Sequence, residues 1–173
     1  MIRFIKSIFR KKDYIFIENN KVDIKKMRMV AEDYYLDRKF YCSEAVLKTL
    51  KDGFEAPYGD EIIKLSSGFP VGMGNGCACG AINGGVMAIG MFFSGEKAME
   101  LTKELQEKFL EKRKFCCCKV LTRGMKLGSK VHLKHCVTIT GELTELTAEI
   151  LARELGYEGK IKKSWLEKKL VVL

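Results

Sequence analysis

Seven cysteines fall at four loci in a chain of 173 residues: Cys42, the pair Cys77 and Cys79, the run Cys116, Cys117 and Cys118, and Cys136. Ionised thiols gathered at one place repel one another, and a cation, an iron–sulfur core or oxidation to disulfides relieves that repulsion. The loci lie far apart in sequence, so any shared site has to be built by the fold. Cys79 is the most informative of them, because glycines lie just before and after it and a helical stretch follows. Unpaired amides and the helix dipole at such a position favour negative charge, so a lowered thiol pKa is expected for Cys79. Gly76 and Gly80 are expected to lend backbone amides to sulfur there.

Three chemistries use clustered cysteines, and the spacing leaves all three open. Structural zinc draws on paired C-x₂₋₄-C knuckles, whereas this chain has one C-x-C and one C-C-C. A [2Fe-2S] or [4Fe-4S] cluster needs four thiolates and tolerates dispersed spacing. A metal-free dithiol couple would use Cys79 as attacking thiolate and a cysteine of the 116–118 run, such as Cys118, as resolver. One or two of Cys77, Cys116 and Cys117 read equally well as small buried hydrophobes. His132 and His135 flank the fourth locus and could replace a thiolate, although loop histidines are more often solvated. There is no C-x-x-C-H, so covalent haem is not expected.

The elements that must position these residues are read from periodicity. Apolar residues recur at helical rather than alternating spacing and only two prolines occur, which predicts an all-α fold, a compact bundle of about five to seven helices. Residues 22–51 read as one long helix or two successive ones, with Cys42, Ala45, Val46 and Leu50 along an apolar face and Gly53 at the end. Asp60 is expected to cap a short helix over 60–65. The stretch 68–80 has too many glycines for regular structure and is expected to be a loop in unusual backbone conformations, leading into a buried central helix over 81–93. Gly80, Gly84 and Ala88 share one face of that helix, so a backbone or a bulky inorganic group can approach closely. A helix over 96–114 follows, with Ser94 as cap and Met99, Leu101, Leu105, Phe109 and Leu110 as core. Residues 122–134 are basic and expected to be a loop leading to His135 and Cys136, before a last helix over 142–155 that Gly156 stops.

Composition bounds the function classes. The net charge of +9 suggests nucleic acid, but residues 1–28 hold nine Lys/Arg against three acids, and 160–173 hold five against one. The remainder sums to 9 − 6 − 4 = −1, so no broad phosphate-contacting face is expected and nucleic-acid binding is disfavoured. This divides the chain into a basic amphipathic N-terminal arm (1–28), a cysteine-bearing helical domain (29–156) and a basic tail (157–173). The arm places Ile2, Ile5, Ile8 and Phe9 opposite Arg3, Lys6 and Arg10; packing on its own domain or a partner subunit is favoured over peripheral membrane contact. The arm lacks the continuous apolar stretch of a signal peptide, and seven is an odd count, so a cytoplasmic location with reduced thiols is expected. Gly72-x-Gly74-x-Gly76 lacks the strand and the Gly-Lys-Ser/Thr of a phosphate loop. The methionines fit core positions such as Met87 and Met91, and the apolar, glycine-lined helix makes a homodimer a reasonable expectation.

Cys79-Gly80-Ala81-Ile82-Asn83-Gly84 matches the C-G-A-x-x-G motif of a family of redox-active proteins with four characteristic cysteines, and a glycine-rich loop precedes it. Tyr41-Cys42-Ser43-Glu44-Ala45-Val46-Leu47 resembles that family's early cysteine segment, Cys118-Lys119-Val120-Leu121 its third, and Cys136 its fourth. The resemblance covers roughly residues 30–155. It implies a redox-active domain with Cys42, Cys79, Cys118 and Cys136 as its ligand set, and a redox partner protein whose identity it does not give. A related domain in split-Soret cytochromes carries a non-haem iron–sulfur centre, which implies a cluster here as well. Cys77, Cys116 and Cys117 go beyond the four-cysteine pattern as auxiliary ligands, a second cluster or a resolving thiol.

Overall fold

The computed structural model describes residues 16–159. The amphipathic helix expected near the N-terminus and most of the basic tail lie outside the described residues. The first described elements are two short strands, β1 (Ile17–Glu18) and β2 (Lys21–Val22), paired antiparallel with Ile17 opposite Val22. Asn19 and Asn20 turn the hairpin with φ of 49° and 60°, the left-handed conformation that a two-residue turn of this kind requires and asparagine tolerates. A third strand, β3 (Glu158–Gly159), lies parallel to β2 and adds to this hairpin. Phe16, Val22, Ile24 and Met27 are buried, so the core reaches well before residue 29.

Helix α1 (Ile24–Leu36) opens where the Asp23 carboxylate accepts from the Lys26 amide at 2.9 Å. It ends at a polar Asp37-Arg38-Lys39 stretch in which Arg38 takes φ of 56°. The region 22–51 is therefore two helices, and α2 (Cys42–Gly53) begins at the first cysteine. Ala45, Val46, Leu47 and Leu50 on α2 are fully buried, each large side chain contributing about 1.5–3 kcal/mol of transfer free energy. Helix α3 (Glu61–Lys64) is one turn long. Asp60 stands at its cap position but makes no cap bond; its carboxylate instead meets Lys48 at 2.9 Å and Lys51 at 3.0 Å.

Residues 68–79 form the expected irregular segment, with a π-type turn at Gly72–Gly76 and positive φ at Val71, Gly72, Met73, Gly74 and Gly76. It feeds α4 (Gly80–Gly90), a buried helix packed against α2 and against the two long helices that follow. The bare face of α4 is used by backbone: a Cβ at Gly84 would collide with the Ser43 carbonyl on α2. Helix α5 (Gly95–Arg113) buries Leu101, Leu105 and Phe109 completely, but leaves Met99 65% exposed, so Met99 is surface rather than core. Ser94 precedes it without a side-chain cap bond. A short α6 (Cys118–Leu121) follows.

The largest departure from expectation is α7 (Lys130–Glu154), a single 25-residue helix where a loop and a shorter helix were expected. Ser129 caps it, its hydroxyl accepting from the His132 amide at 3.2 Å. His132, Cys136, Ile139 and Leu143 recur at helical spacing on its inner side, with Lys130 before them and Lys134 among them, so basic residues masked one amphipathic face. At its other end Gly156, φ 76°, is the left-handed residue after the cap. Tyr157 N–H bonds the Ala152 carbonyl at 2.9 Å and Gly156 N–H the Arg153 carbonyl at 3.3 Å, a Schellman closure. Helix α7 packs against α1, α2, α4 and α5. The described residues thus form an all-α bundle with one minimal sheet, and among them no helix is long and apolar enough to cross a membrane.

Candidate functional site

Cys42, Cys79, Cys118 and Cys136 line one pocket of about 30 Å³, together with Tyr35, Val71, Leu121, Thr122, His132, Ile139 and Thr140. Each thiol arrives on a different helix start or face. Cys42 is the first residue of α2, Cys79 the residue before α4, Cys118 the first residue of α6, and Cys136 lies on the inner side of α7. No carboxylate lines the pocket, so its donors are soft sulfurs, one imidazole and hydroxyls.

Close backbone approaches bring the four together. A Cβ at Gly80 would lie 2.7 Å from the Cys42 sulfur and 2.8 Å from the Phe69 carbonyl oxygen, so only glycine lets α2 and the start of α4 meet there. The two central cysteine loci are joined as an antiparallel bridge between Ala78 and Cys117, with Cys79 N–H donating to the Cys116 carbonyl at 2.9 Å and Cys118 N–H to the Cys77 carbonyl at 2.6 Å. Side chains alternate across such a pairing. Accordingly Cys79 and Cys118 turn into the pocket while the Cys117 thiol donates to the Gly76 carbonyl at 3.0 Å. Cys77 is exposed, and Cys116 is half-buried and packs against the core. The three auxiliary cysteines are thus neighbours of the pocket and do not line it.

Electrostatics at the pocket run opposite to the expectation for Cys79. Burial pushes its thiol up to about 12, and the neighbouring Cys42 adds to the shift. The Ala81 and Ile82 amides face its sulfur and oppose the rise, without forming a regular cap bond, but desolvation wins because Cys79 is only 7% exposed. The amides that reach sulfur are therefore those of Ala81 and Ile82; Gly76 offers a carbonyl to Cys117, and Gly80 offers space. Cys42 is likewise pushed up to about 12 by burial and by Cys136, against amides from Ser43 and Val71. Cys136 is pushed up to about 11 by burial, and Cys118 is raised by burial and by Cys117. The pocket thiols therefore sense one another: ionising one makes the next harder to ionise.

Two pocket residues escape a reading by cysteine spacing alone. Tyr35, on α1, hydrogen-bonds the Cys136 sulfur, and burial followed by Cys136 and Cys42 drives its phenol pKa far above the ordinary range, so it remains a donor. Thr140 lines the pocket with a buried hydroxyl that has no partner among the described residues. His132, expected to be a solvated loop residue, is 7% exposed on α7 with its Nε2 3.7 Å from the Cys136 sulfur. Its pKa is lowered by burial and then by His135, which keeps the ring neutral and able to accept a proton or a metal. The signal for both α7 residues was there once the helix is recognised, since His132, Cys136, Ile139 and Thr140 stand at i, i+4, i+7 and i+8.

A soft, four-thiol lining with amides directed at sulfur and an unanswered hydroxyl suits a thiophilic group. As the side chains stand, no set of three or more His, Cys, Asp or Glu among the described residues forms a group that could hold a metal ion. Residues 40–150 match a protein family described as "Putative redox-active protein (C_GCAxxG_C_C)". No curated protein and no solved structure matches the chain. Two stretches compete for the central motif. Gly76-Cys77-Ala78 has its first letters as that description prints them but puts Ala81 where the last glycine falls, whereas Cys79-Gly80-Ala81 is followed at the proper distance by Gly84. The pocket takes Cys79 and leaves Cys77 outside. With the match spanning well over half its length, the chain belongs to this redox-active family, and a redox role comes with that membership.

Proposed function

We propose that the protein holds an iron–sulfur cluster through Cys42, Cys79, Cys118 and Cys136 and acts in electron transfer or redox sensing. The observation that carries this reading is the convergence of those four thiols, three from separate helices and one from the residue before a fourth, on one small pocket without a carboxylate. Bound there, a cluster would supply one-electron chemistry, and its positive irons would offset the burial and the mutual repulsion that hold these groups as thiols. The Ser43, Val71, Ala81 and Ile82 amides directed at sulfur would stabilise the more negative, reduced state.

The metal-free couple with Cys79 as attacking thiolate fits the pocket less well. A nucleophilic thiol needs exposure and a pKa near ambient pH, and Cys79 has neither. Anaerobic reconstitution of the full chain with ferrous iron and sulfide tests the reading. Visible absorbance with stoichiometric iron and sulfide, lost when any one of the four cysteines becomes serine, is the expected result; a colourless protein that retains no iron would overturn it.

A further inference from the structure

We propose that Cys77 is the entry thiol of a switch, forming a reversible disulfide with Cys118 and thereby withdrawing Cys118 from the pocket. The Ala78–Cys117 bridge fixes the register, which sets Cys77 opposite Cys118 and Cys79 opposite Cys116. The 2.6 Å bond from Cys118 N–H to the Cys77 carbonyl holds the first pair together. Directly opposed residues of an antiparallel pair have Cα atoms about 5.5 Å apart, inside the roughly 4.4–6.8 Å that a disulfide spans.

Gly72 tightens the same place. A Cβ there would stand 2.5 Å from the Cys77 nitrogen and 2.8 Å from the Cys118 Cβ, so the glycine, at φ 61°, lets the Cys77 backbone and the Cys118 side chain lie closer together than any other residue would allow. The partners also differ in access in the way an exchange reaction needs. Cys77 is exposed at the surface, while Cys118 is half-buried and lines the pocket. Other pairings are disfavoured: Cys117 turns its thiol towards the Gly76 carbonyl, and Cys79 is buried.

The oxidant is a small disulfide such as oxidised glutathione. The Cys77 thiolate attacks one of its sulfurs, breaking that S–S bond and releasing one small thiolate, which takes up the proton Cys77 has lost. The Cys118 thiol then attacks the Cys77 sulfur of the mixed disulfide as its proton passes to the second small thiolate, which is expelled as a thiol. Two protein thiols are oxidised, one small disulfide is reduced to two thiols, and no other reactant is needed. Only the consequence for a cluster rests on the function proposed above; the bond itself does not.

The test uses the full, reduced chain, with and without prior iron–sulfur reconstitution. Metal-free protein is exposed anaerobically to oxidised glutathione, its remaining thiols are alkylated, and the disulfides are mapped by mass spectrometry. A dominant Cys77–Cys118 link is expected, absent in Cys77→Ser and weakened in Gly72→Ala, with circular dichroism verifying that both variants fold. Pairing of Cys77 with Cys116 or Cys117, or a Cys77–glutathione adduct that persists beside a free Cys118, overturns the proposal. In reconstituted protein, glutathione disulfide should bleach the visible absorbance of the wild type faster than that of Cys77→Ser; equal bleaching overturns the switch. A chain that never takes up iron yet forms the Cys77–Cys118 link removes the cluster reading and leaves the disulfide standing.

Discussion

The two ends of α7 are built on opposite principles. Its C-terminal half is saturated. Arg153 grips Glu104 on α5 with two bonds of 2.7 Å, Lys108 adds a third at 2.9 Å, and Glu154 pairs with Lys97 at 3.0 Å. The buried Thr144 and Thr147 hydroxyls return to carbonyls one turn back, and the Schellman closure answers the last carbonyls. Its N-terminal half, about 25 Å away along the axis for the 17 residues from Cys136 to Arg153, leaves the Thr140 hydroxyl and His135 Nε2 without partners among the described residues and borders the four-thiol pocket. An unanswered buried polar atom costs about 1–3 kcal/mol. A helix whose buried polar side chains are all paired at one end and not at the other has the means to pair them throughout, so the pocket end is shaped for something other than stability.

The sharpest way to break this comparison is to remove a pocket sulfur. Cys79→Ser, and equally Cys42→Ser, Cys118→Ser or Cys136→Ser, should cut the iron and sulfide retained after anaerobic reconstitution by about 100-fold or more in affinity, since ligand loss exceeds the roughly 10–100-fold cost of losing an outer partner. If any one serine variant holds iron as tightly as the wild type, that cysteine leaves the proposed ligand set. A next, smaller effect comes from the helix contact that aligns two of those ligands. Gly84→Ala pushes a methyl into the Ser43 carbonyl beside Cys42, and overpacking of this kind costs about 1–3 kcal/mol. Thermal unfolding should register the loss, and iron retention should fall with it; a variant as stable as the wild type would mean that α2 and α4 part easily.

Both variants touch what was readable and what was not. The glycine-strained segment and the buried α4 were legible, because glycine density and an apolar run are local signals, whereas singling out Cys42, Cys79, Cys118 and Cys136 among seven cysteines needed the family resemblance around Cys79. The bare face of α4 was legible too, though not its use: Gly84 serves a backbone and Gly80 a cysteine sulfur. The start of α7 was hidden because Lys130 and Lys134 crowd a stretch whose first inward residue, His132, is polar. The Cys79 pKa was misread for another reason. Helix-end amides are visible in sequence, whereas the desolvation that outweighs them depends on what packs around the thiol after folding.

At the saturated end the expectation is stability without function. Burial alone would raise the Glu104 pKa, but hydrogen bonds from Arg153 and Lys108 overcome it and hold the carboxyl down at about 2. A folded pKa below the unfolded one stabilises at pH above the unfolded value of 4.5, and the contribution is lost as pH falls towards about 2. Glu104→Gln should therefore lower stability by about 1–2 kcal/mol at pH 7, less than the full shift implies because solvent screens Arg153. Denaturant curves for variant and wild type should converge as the pH is lowered through that window, with iron retention unchanged throughout. Loss of iron in this variant would join the two ends of α7 functionally and erase the distinction between them.

The smallest change probes the boundary of the pocket. Tyr35→Phe removes the hydroxyl that bonds the Cys136 sulfur and keeps the ring. Burial and the facing cysteines hold that phenol protonated, so in the wild type it donates to sulfur rather than competing with it for charge. A donor of this sort stabilises the more negative state of whatever the thiolates hold, by about 0.5–1.5 kcal/mol for one hydrogen bond. The full chain should unfold at nearly the wild-type temperature, because the ring still fills its place on α1, while the reduction potential of the reconstituted protein moves downward. A potential that does not move would show that the hydroxyl serves packing alone, and Tyr35 would then belong with the saturated part of the molecule.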